Sequence, residues 1–84
     1  MPEIARFYGI IIKLLLFFGD HPPPHFHAVY GEYIGVFNID SLELIEGDLP
    51  KRAENLVKEW AEVHKMELKR MWEEQKFYKL PPLE

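Results

Sequence analysis

Three of the four histidines in the chain fall within eight residues, in the run Asp20, His21, Pro22, Pro23, Pro24, His25, Phe26, His27. Each proline fixes its φ near about −65° and pushes the residue before it toward extended geometry, so residues 21–24 read as a stiff connector with few backbone donors. If the chain continues as a strand, His25 and His27 leave the same face, roughly 6–7 Å apart at the backbone, and Phe26 leaves the other. Two imidazoles offered in this way suit a divalent transition metal such as zinc, with His21 or Asp20 as a further ligand. They suit general acid–base chemistry equally well, because imidazole titrates near neutral pH. The alternative is architectural. No cysteine joins the histidines, and the prolines can simply end one strand and begin the next.

The elements around this run must position it. Residues 10–18 (Ile-Ile-Ile-Lys-Leu-Leu-Leu-Phe-Phe) are rich in β-branched and aromatic side chains and read as a long strand. Alternation puts Ile10, Ile12, Leu14, Leu16 and Phe18 toward the helical part, and Ile11, Lys13, Leu15 and Phe17 on the opposite side. That second side is too apolar for open water and is a candidate surface for a protein partner or a homodimer, unless the N-terminal arm covers it. Residues 27–30 and 33–39 read as a hairpin around Gly31 and Glu32, and residues 42–46 as a short further strand.

Pro50 suits the first turn of a helix, with Asp48 near its positive end. From there Ala53, Leu56, Val57, Trp60, His64, Leu68, Met71 and Trp72 recur three or four residues apart as one apolar stripe. After Pro50, no glycine or proline interrupts the chain to about Phe77, so the pattern gives either one long helix or two in sequence with a bend near residues 64–66. The expected fold is α+β: an antiparallel sheet of three to four strands packed against that helical segment. A single domain divides into a sheet part at 1–47, a helical part at 48–78 and an extended tail at 79–84. His64 lies on the stripe and so faces the sheet, where it can either join the His25/His27 site or serve as a packed core residue.

Charge and length exclude several classes. At 84 residues the chain is short for more than one domain, and the apolar run near its start, broken by Lys13, is too short to span a membrane. Glu3 stands where a secretory signal would carry basic residues, so a cytoplasmic location is expected. Residues 1–48 hold two basic and seven acidic side chains, and residues 49–84 hold eight basic and seven acidic. The half with the histidines is therefore acidic, which disfavours tight nucleic-acid binding there; RNA is the nucleic acid to consider.

The opening Met1, Pro2, Arg6, Phe7, Gly9, the D-H-x-P-P-H-x-H run at 20–27, Tyr30, Gly31 and the pattern Leu49, Pro50, Arg52, Ala53, Leu56, Val57, Trp60, His64, Glu67, Leu68, Trp72 resemble the small bacterial family called domain of unknown function 4160 (DUF4160). The resemblance implies a component of a two-gene, toxin–antitoxin-like cassette, beside a second small domain that can carry a DNA-binding helix-turn-helix. It implies no defined activity. The signature positions fall on Asp20, His21, Pro23, Pro24, His25 and His27, with His64 matching the helix histidine. Pro22 departs from the polar residue that relatives usually carry there.

Three functions are open on this basis. The first is a non-enzymatic module that binds a protein encoded by a neighbouring gene. The second is a histidine-dependent ribonuclease, with His25 and His27 as the acid–base pair and Asp20 orienting His21. No lysine or arginine lies near the run in sequence to neutralise a phosphate, which counts against it. The third is a small metal-binding protein using His21, His25 and His27, with His64 or Asp20 as a further ligand.

Overall fold

The computed structural model describes residues 3–14 and 23–83. Asp20 and His21, and residues 15–18 of the apolar run, lie outside the described residues. Five strands precede two helices: β1 (Glu3–Phe7), β2 (Ile10–Lys13), β3 (His25–Tyr30), β4 (Tyr33–Asn38), β5 (Leu44–Gly47), α1 (Lys51–Val63) and α2 (Lys65–Glu74). The strands form one antiparallel sheet in chain order, each paired with the next.

The count of five corrects the three to four strands expected from sequence. The extra strand is β1, which turns back onto β2 through Tyr8 and Gly9. Both turn residues have positive φ, 49° and 79°, as a two-residue hairpin turn of matching twist requires. Glycine takes that conformation freely, but tyrosine rarely does, so the sequence carries only half of the usual turn signal.

Alternation decides what the sheet buries. Ile10, Ile12, Leu14, Phe26, Ala28, Phe37 and Ile39 are buried and belong to the same hydrophobic cluster as Ala53, Val57, Trp60, Ala61, Leu68, Met71 and Trp72 of the helices. Trp60 is central: its ring stacks on Phe7 at 5.6 Å and meets Phe26 edge-on at 6.2 Å. Phe26 in turn stacks on Phe37, its cross-strand partner, at 5.3 Å. Aromatic pairs at these separations add to the free energy of burial.

The helical segment is two helices. His64 sits between them at φ −108°, ψ 17°, outside the helical well, yet the chain bonds run on through it: His64 N–H donates to the Trp60 carbonyl and Leu68 N–H to the His64 carbonyl. Helical structure stops at Glu74, because Gln75 takes a left-handed conformation at φ 54°, although the glycine- and proline-free run continues. The tail then returns to the sheet. Leu80 N–H donates to the Ile4 carbonyl at 2.7 Å, and the Trp60 indole donates to the Pro81 carbonyl at 2.8 Å. The first of these bonds pairs a backbone group on the β1 edge, and the second ties the tail to α1.

Candidate functional site

The histidine pair is built by the start of β3. Pro24 cannot donate, but its carbonyl accepts from Ile39 N–H at 2.8 Å, carrying the β3–β4 ladder one step past the strand. His25 and His27 follow on the face of the sheet opposite the buried Phe26 and Ala28, as the period of two requires. Their rings lie 5.4 Å apart, nearly edge to face.

The two imidazoles have different surroundings. His25 Nδ1 lies 2.9 Å from the Pro23 carbonyl. A carbonyl only accepts, so this bond places the proton on Nδ1 and leaves Nε2 of the neutral ring as the lone pair. The same ring lies 4.9 Å from that of Trp72 of α2. His27 Nδ1 is buried without a hydrogen-bond partner. Burial, and then the neighbouring His25, push its pKa below the ordinary imidazole value, while Glu46 pulls the other way.

The strand register supplies neighbours that sequence spacing hides. Lys13 of β2 lies directly opposite His27, which lies opposite Val36 of β4, which lies opposite Glu46 of β5. A cation thus stands beside the histidine pair after all, twelve to fourteen residues away in sequence. Only the β2–β3 pairing could have revealed it. One row along, Ile11, Val29 and Ile34 are similarly aligned. None of these side chains is buried, and Ile34 is 54% exposed.

Of the other candidate residues, His64 is held elsewhere. Its Nδ1 donates to a Glu67 carboxylate oxygen at 2.8 Å, and its ring lies 5.1 Å from that of Trp60. Asp20 and His21 lie outside the described residues. A zinc-type site takes three or four protein ligands. Among the described residues, no group of three histidine or acidic side chains is disposed to hold a metal ion, so the described contribution is the two imidazoles of His25 and His27. A cavity of about 320 Å³ is lined by Tyr8, Ile10, Tyr30, Pro50, Arg52, Ala53 and Leu56 and includes neither histidine of the pair.

Residues 9–73 match the family described as Domain of unknown function (DUF4160). The chain belongs to this family. The match spans β2 to β5, α1 and nearly all of α2, and so includes His25 and His27. No curated protein and no solved structure matches the chain. No helix among the described residues is long and apolar enough to cross a membrane.

Proposed function

We propose that this DUF4160 chain is a non-enzymatic protein-interaction module, one component of a toxin–antitoxin-like pair in the cytoplasm, and that it binds protein through the second face of its sheet. The observation that carries this reading is the contrast within single strands. Ile10 and Ile12 are fully buried, whereas Ile11 between them is partly open to solvent together with Val29, Ile34 and Val36. A cluster of aliphatic side chains on one partly exposed sheet face supports that reading. The test is co-purification with the product of the neighbouring gene, using the parent and Val36→Asp. Retention of the partner by the parent and its loss from a variant with unchanged circular dichroism is the expected result. A folded variant that retains the partner as well as the parent does would overturn the reading.

One observation favours a second reading, ribonuclease activity. Lys13 beside His27 supplies the cation that phosphoryl chemistry needs, and the Pro23 bond leaves a lone pair on His25 Nε2 that can take a proton from a 2′-hydroxyl. In this reading His27, whose lowered pKa favours the neutral ring, is poorly suited to be the acid, and water gives the departing 5′-oxygen its proton as the P–O5′ bond breaks. Cleavage of a short RNA by the parent, abolished in both His25→Ala and Lys13→Ala with folding intact, would support it.

A further inference from the structure

The interaction reading gives the face to a neighbouring gene's product, but the face also carries a pattern that suits itself. Resting on that reading, we propose that in the chain alone this face is covered by a second copy of the chain, stacked face to face about a two-fold axis that runs along the strands between β3 and β4. The register orders one row across the sheet as Lys13, His27, Val36, Glu46, from β2 to β5. Such an axis lays β2 of one copy over β5 of the other, and β3 over β4.

Lys13 then faces Glu46 of the second copy, and the symmetry makes this pair twice. His27 faces Val36, and one row along Val29 faces Ile34. An interface between identical surfaces must be self-complementary in this sense, each residue type meeting its match under the symmetry operation. Sheets stack about 10 Å apart, a gap that a lysine and a glutamate reaching from opposite sides can close.

The two charges are available for it. Among the described residues, the acidic neighbour of Lys13 on β1, Glu3, is taken by Arg6, with bonds of 3.1 and 2.8 Å. Neither Lys13 nor Glu46 takes part in an ion pair among the described residues. A cation and an anion thus flank an aliphatic centre, on opposite sides of the proposed axis.

The test is sedimentation equilibrium of the chain alone, as parent, Lys13→Glu, Glu46→Lys, the Lys13→Glu/Glu46→Lys double variant and Ile34→Lys. The parent is expected at twice the 10.0 kDa of the chain. Each single charge reversal should weaken the dimer at least tenfold, and the double reversal should restore it. Ile34→Lys, at an exposed position, should yield monomer with unchanged circular dichroism. A monomeric parent, single reversals that dimerise like the parent, or a double reversal that fails to restore dimerisation would each overturn the proposal. If the parent is monomeric yet Val36→Asp still loses the neighbouring gene's product, the interaction reading stands and only the choice of partner falls.

Discussion

The two faces of the sheet come from the same strands and differ in almost every respect. On one, Ile10, Ile12, Leu14, Phe26, Ala28, Phe37 and Ile39 are wholly buried and join the helices in one cluster. On the other, Ile11, Lys13, His27, Val29, Val36 and Asn38 are partly exposed, and the chemistry of the chain is gathered there. The first face is uniform because burial tolerates only apolar groups. The second mixes imidazole, charge and aliphatic groups, which burial in a core of this size would not permit. In the reading proposed above, the first face carries stability and the second recognition.

The sharpest way to break that contrast is to empty the first face. Phe26→Ala, which removes a ring packed against Phe37 and Trp60, should cost about 3–5 kcal/mol in urea denaturation. At the sheet edge, Gly47→Ala should cost at least about 1–3 kcal/mol, because the backbone has φ 80° and the added Cβ would run into the Ile34 carbonyl oxygen. A thermal melt within a degree of the parent would show that β5 is not held as described.

A smaller effect separates the faces by pH. Because burial and His25 lower the pKa of His27 from 6.5, the unfolded chain takes up this proton more readily than the folded one. The contribution of His27 is therefore fully present above the ordinary value, declines as pH falls below it, and is lost below the lowered folded value. Urea midpoints measured from pH 8 to pH 5 should fall less steeply in His27→Gln than in the parent, and identical slopes would refute this. Smallest of all, Ile34→Ala on the second face should change stability by no more than about 0.5 kcal/mol. A loss as large as that of Phe26→Ala would mean that the second face is core after all.

Much of the first face was legible in the sequence. The stripe from Ala53 to Trp72 and the alternation of Ile10, Ile12 and Leu14 depend only on helical and strand periods, and burial follows them closely. The same alternation put His25 and His27 together. What the sequence withheld depends on pairing and on unusual backbone. Tyr8 in a left-handed conformation hid the β1–β2 hairpin, and hence the fifth strand. Lys13 and Glu46 reach the row of His27 only through register, which no local spacing encodes. His64 differs from these: its bond to Glu67, three residues on, follows a spacing that the sequence does carry.

The most direct test of the division between the faces is amide and methyl NMR of the parent and Ile34→Lys with a soluble paramagnetic probe, each alone and with the neighbouring gene's product. In the parent assembly, the methyl groups of Ile11, Val29 and Val36 should be shielded from the probe, and in the folded Ile34→Lys variant they should be bleached. Methyl groups equally accessible in both proteins under all conditions would contradict the claim that this face binds protein.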